Sequence, residues 1–125
     1  MMRSRLISPD GLQISASGFD IEVRLPWYRT LPLSTVDVVE VRVDGQLVDP
    51  LYIRFEVNGK THGLSELCEL IDEWWYVLDS AIIHVSGSQL QLGEDYEVEV
   101  TLALRPPYIP GFTRMTQCTK TLRAH

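Results

Sequence analysis

Between Tyr96 and Leu104 every second residue is apolar: Tyr96, Val98, Val100, Leu102 and Leu104 alternate with Glu97, Glu99, Thr101 and Ala103. A period of two sends one set to each face of an extended chain, so this segment reads as a strand with one side on a core and the other toward water. Such a strand needs a second layer over its apolar face and neighbours for its backbone N–H and C=O groups. The sequence supplies both. Val36–Val43 is rich in β-branched residues and stops at Asp44-Gly45, after which Gln46, Leu47 and Val48 return as a short arm. Residues 51–57 run into Asn58-Gly59, the strongest two-residue hairpin signal, and return through residues 60–62. Residues 12–17, 19–25, 81–85 and 113–122 also read as strands, most with a polar outer face.

One segment breaks the pattern. Leu64, Leu67, Leu70 and Ile71 recur at helical spacing, and Ser65 with Glu66 suits a helix start, which predicts one short helix over residues 64–72. The sum is an all-β single domain over residues 1–125, an antiparallel β-sandwich of immunoglobulin-like size with one short helix. Neither the Cys spacing nor the Trp position of antibody domains is present, so the strand order stays open. At 125 residues the chain should bury roughly two-thirds of its unfolded surface, enough for a core without metal or disulfide.

Charge narrows the function classes. With 17 acids against 11 Lys and Arg, the net charge of -6 repels phosphate backbones, and no basic cluster of groove size interrupts it. Nucleic acid is not an expected partner. Apolar runs of only a few residues exclude a membrane-spanning helix. The basic start, residues 1–5, is followed too soon by Ser8-Pro9-Asp10 to be a signal peptide, so a cytoplasmic location is expected. Cys68 and Cys118, one in the expected helix and one in a strand, read as two unpaired thiols.

Catalytic patterns are missing. The histidines, His62, His84 and His125, form no His-x-His or His-Glu-x-x-His motif, and ordinary surface or core roles are expected for His62 and His84. The sequence has no Gly-x-Ser-x-Gly, no Gly-rich phosphate loop and no Cys with a local His. Asp72 and Glu73 are adjacent and would point apart. The expectation is therefore no catalytic residue and no metal site in this chain.

The aromatic residues do stand out. Seven of the eleven lie in three Pro-flanked or irregular segments: Pro26-Trp27-Tyr28-Arg29, Trp74-Trp75-Tyr76, and Pro107-Tyr108-Ile109-Pro110-Gly111-Phe112. A sandwich core is filled by inward strand residues, so large rings on stiff loops are candidates for a binding surface; closing the ends of the core is the competing role. Trp27, Tyr28, Tyr108 and Phe112 are the expected partner anchors, with Trp74 and Trp75 next. Charge is segregated too: residues 61–104 hold nine acids and no Lys or Arg, while Arg105, Arg114, Lys120 and Arg123 follow without an acid. This either polarises the surface toward a partner or cancels when the halves fold together.

As a set, several segments resemble a known family: Leu25-Pro26-Trp27-Tyr28-Arg29 with Leu31-Pro32-Leu33-Ser34, Arg54-Phe55-Glu56-Val57-Asn58-Gly59, Asp72-Glu73-Trp74-Trp75, and Pro107-Tyr108-Ile109-Pro110 before Thr116-Gln117-Cys118-Thr119-Lys120-Thr121. They look like the small β subunit of bacterial C-glycoside deglycosidases, over about residues 11 to 122. The resemblance implies a β-sandwich bound to a larger TIM-barrel α subunit that holds a divalent metal, typically manganese. It also implies cleavage of the carbon–carbon bond between a sugar and an aromatic aglycone in a 3-oxo-C-glycoside. A 3-keto group acidifies the neighbouring C2 hydrogen, and the aryl carbon leaves after protonation. That chemistry needs a base, an acid and a metal, and this chain shows no clustered set, so the partner must supply them. The competing class is a free-standing carbohydrate-binding sandwich that stacks sugars on Trp27, Trp74 or Trp75.

Overall fold

In the computed structural model, which describes residues 6–125, the chain runs through β1 (Ile7–Ile14), β2 (Gly18–Arg24), β3 (Leu31–Pro32), β4 (Val36–Val43), β5 (Gln46–Leu47), β6 (Ile53–Val57), β7 (Lys60–Gly63), β8 (Trp74–Trp75), β9 (Ser80–Ser86), β10 (Asp95–Leu104) and β11 (Arg114–Arg123). The basic stretch at residues 1–5 lies outside the described residues. Both turns read from sequence close hairpins. Asp44 (φ 50°) with Gly45 (φ 81°), and Asn58 (φ 56°) with Gly59 (φ 75°), take the paired left-handed conformations that match the twist of β4–β5 and β6–β7.

Pairing produces a five-stranded sheet in the order β1-β2-β9-β6-β7 and a four-stranded sheet in the order β11-β10-β4-β5, with every pair antiparallel. Between them lies one core. Phe19, Ile21, Val23, Phe55, Ile83 and Val85 from the first sheet meet Val41, Val98, Val100, Leu102 and Leu104 from the second. The alternation along β10 is realised as read, and Thr101 and Ala103 on its other face are buried as well. At one edge the sheets are joined, because Ile14 N–H donates to His125 O at 2.8 Å and Lys120 Nζ donates to Ile7 O at 2.9 Å.

Three expectations need correction. The short helix is present as a 3-10 helix over Leu64–Glu69 and stops short of residue 72, and of its apolar stripe only Leu67 is fully buried while Ile71 is exposed. The first strand begins at Ile7 instead of residue 12. It absorbs Ser8-Pro9-Asp10 as an irregularity between Ile7 and Leu12, which an edge strand tolerates because Pro9 has no inner neighbour to serve. Pro50–Tyr52 forms a 3-10 turn ahead of β6, capped by the Asp49 carboxylate accepting from Leu51 N–H, so residues 51 and 52 are not strand.

Candidate functional site

The β2–β3 and β10–β11 loops leave the sandwich at the same end. Leu25 and Pro106 are buried and root the two loops, and successive turns tighten the second, with Ile109 N–H donating to Pro106 O and Phe112 N–H donating to Ile109 O. Prolines at 26, 106, 107 and 110 fix φ along both loops, so little backbone freedom is lost when the surface they carry is covered. The loops then lock to each other: the Trp27 indole N–H donates to the Tyr108 hydroxyl at 2.5 Å. Trp27 packs on the core with one side and on Tyr28 and Phe112 with the other, ring centroids 5.0 and 6.2 Å away.

What remains outward is large and aromatic. Tyr28 is 66% exposed, Tyr108 43% and Phe112 38%. The Arg29 guanidinium lies 5.7 Å from the Tyr28 ring centroid and 5.3 Å from that of Tyr108. Hydrogen bonding with Tyr108, and secondarily burial, holds the Tyr28 phenol above its ordinary range against the pull of Arg29, so Tyr28 stays neutral at physiological pH.

The third aromatic segment divides. Trp74 and Trp75 form β8, paired with Pro32 and Leu31 of β3 directly after the first loop. Alternation turns Trp75 inward, where it is 0% exposed, meets Phe55 edge-on at 5.4 Å, and donates its indole N–H to Asp79 O at 2.9 Å. The expectation that Trp75 serves a partner is corrected on this point: it has no surface to offer and is a core residue. Trp74 is 40% exposed, and its carbonyl accepts from Asn58 Nδ2 at the tip of the β6–β7 hairpin.

A second arrangement escaped the sequence. On the outer face of the five-stranded sheet, His84 Nδ1 lies 2.7 Å from Asp20 Oδ1 and Nε2 lies 2.6 Å from Glu56 Oε1, so one ring ties β2, β9 and β6 together. The carboxylates sit at opposite ring nitrogens, so a cation bound at either nitrogen reaches only one of them. Among the described residues no three His, Cys, Asp or Glu are placed to hold a metal ion. The donors among the described residues, so placed, do not fit a divalent metal centre. His62 pairs loosely with Glu66 at 3.7 Å, and Cys68, exposed, and Cys118, buried, are not joined in a disulfide. No helix among the described residues is long and apolar enough to cross a membrane.

The molecule is thus a β-sandwich whose most elaborated surface is a rigid aromatic end, with reactive side chains scattered elsewhere. Residues 4–108 match the C-glycoside deglycosidase beta subunit family, and the chain belongs to it. The 3'-dehydrocarminate deglycosidase beta subunit of a Microbacterium species is 43% identical over 110 residues, covering 88% of this chain and 83% of that one. C-glycoside deglycosidase beta subunits of Microbacterium trichothecenolyticum and Arthrobacter globiformis are 38% identical over 110 residues and 35% identical over 112 residues, each covering 87% of this chain and respectively 82% and 83% of theirs.

Proposed function

We propose that this chain is the non-catalytic β subunit of a C-glycoside deglycosidase, a carbon–carbon lyase acting on 3-oxo-C-glycosides. It docks through its aromatic end to a larger TIM-barrel α subunit that carries the reacting acid and base and the divalent metal, manganese. The observation that carries this reading is the Trp27–Tyr108 hydrogen bond, which joins two Pro-stiffened loops into one exposed aromatic surface. Its partner side is open: Tyr28, Tyr108 and Phe112 present the ring area that dominates binding energy once water is excluded. A relative named for 3'-dehydrocarminate supports an oxidised glycoside as the substrate class. Two cysteines outside any disulfide suit a reducing cytoplasm.

Within the complex, this chain's task is to bind and orient the larger subunit and to keep water from the covered surface. Co-expression with the larger subunit tests the reading. The expected outcome is a stable complex that cleaves 3-oxo-C-glycosides, and a separated β chain that neither cleaves them nor retains stoichiometric manganese. A β chain that stays monomeric, ignores the larger subunit and binds sugar alone would instead be a carbohydrate-binding module.

A further inference from the structure

We infer that the aromatic end docks on an acidic surface of the partner subunit, and that Arg29 is the side chain that reads this charge; the inference rests on the reading of that end as the subunit interface. The chain as a whole is acidic, with 17 Asp and Glu and a net charge of -6. Yet the two loops with their flanking strand ends, residues 24–29 and 105–114, contain Arg24, Arg29, Arg105 and Arg114 and no acid. Arg105 is neutralised by an ion pair with Asp37. Arg24, Arg29 and Arg114 make no ion pair among the described residues. The charge asymmetry of the sequence therefore survives folding at this end.

Arg29 is the one placed to act. Its guanidinium lies within cation–π distance of both the Tyr28 and the Tyr108 ring, contacts that consume none of its N–H donors. An arginine flanked by two rings in this way has part of its side-chain freedom already spent before binding and presents a fork that fits a carboxylate with two parallel hydrogen bonds. Covering it with a neutral apolar surface would strip water from an unpaired cation, which is strongly unfavourable. A polyanion such as nucleic acid is opposed by the net charge of the rest of the chain, whereas a local carboxylate patch on a protein meets only the cationic end.

The test measures association of the purified chain with its larger subunit from low salt to about 0.5 M NaCl, where charge effects between exposed groups are mostly screened. Wild type should bind more weakly as salt rises. Arg29→Met should weaken binding by about tenfold at low salt and flatten the salt dependence, as expected when an interfacial charge is removed. Arg29→Lys should keep the salt dependence while losing affinity, because the charge stays and the fork is lost. Arg54→Met, an equal charge change on the outer face of the five-stranded sheet, should alter nothing. If Arg29→Met assembles like wild type while Trp27→Ala does not, the end docks without reading charge and the inference is overturned. If neither change affects assembly, the interface reading falls with it. An Arg29→Met complex that assembles normally but shows a raised KM would assign the arginine to substrate and overturn the inference too.

Discussion

His84 shows how much a single side chain can couple on this scaffold. Burial opposes its charge and is the largest single influence. Hydrogen bonds to Glu56 and Asp20, with the charges of both, outweigh it, and the imidazole is held above its ordinary 6.5. Arg54, opposite His84 on β6, is the nearest cation by register. A His whose folded value is raised adds stability that is complete below its unfolded value and is lost as pH rises through the folded one. Thermal melts should therefore show stability falling as pH climbs above about 6.5, by roughly 1 kcal/mol for two partly exposed pairs, and His84→Gln should abolish that fall. A pH-independent wild type would contradict the coupling. Trp75 and Tyr28 mark the other contrast at this scale. Trp75→Ala, made in the core against Phe55, should cost about 3–5 kcal/mol of folding stability, whereas Tyr28→Ala on the exposed end should stay within about 0.5 kcal/mol by the same denaturation measurement.

Among the elements, β2 and β9 are held at a separation that only glycine permits. A Cβ at Gly18 would stand 2.0 Å from the Val85 carbonyl oxygen, so Gly18→Ala must open the β2–β9 ladder, while Gly59→Ala has open space and meets only the strain of a positive φ, about 1 kcal/mol. Melting temperatures should fall much further for Gly18→Ala. The hairpins and β10 were legible in the sequence because their determinants are local: a turn pair, or an alternation within one strand. The short helix was legible because Leu64, Leu67 and Leu70 are spaced by three, which a 3-10 helix aligns on one face; its end was not, since Ile71, which extends the apolar spacing, lies beyond it and is exposed. The β3–β8 pairing was not legible at all, since two residues on each side carry no periodicity.

At the scale of the whole molecule, the sandwich brings Trp27, Tyr28, Tyr108 and Phe112, which the sequence singled out on two separate loops, into one surface, and leaves Trp74 outside the core. Their Pro-flanked placement made them visible beforehand. Arg29 and the His84 clamp were not, because the meaning of each depends on residues brought together from distant strands and loops by strand order. A permanent subunit interface commonly buries more than about 2,000 Å² in total, so several of these rings must be covered at once. The most direct measurement of that claim is co-purification of Tyr28→Ala and Tyr108→Ala chains with the larger subunit, alongside thermal melting of each chain alone. Loss of on the order of 2 kcal/mol of binding, roughly thirtyfold in affinity, with a native-like melt is the predicted result. Tyr28→Ala and Tyr108→Ala chains that bind the larger subunit like wild type would show that the loops only close the core, and that the partner sits on a sheet face.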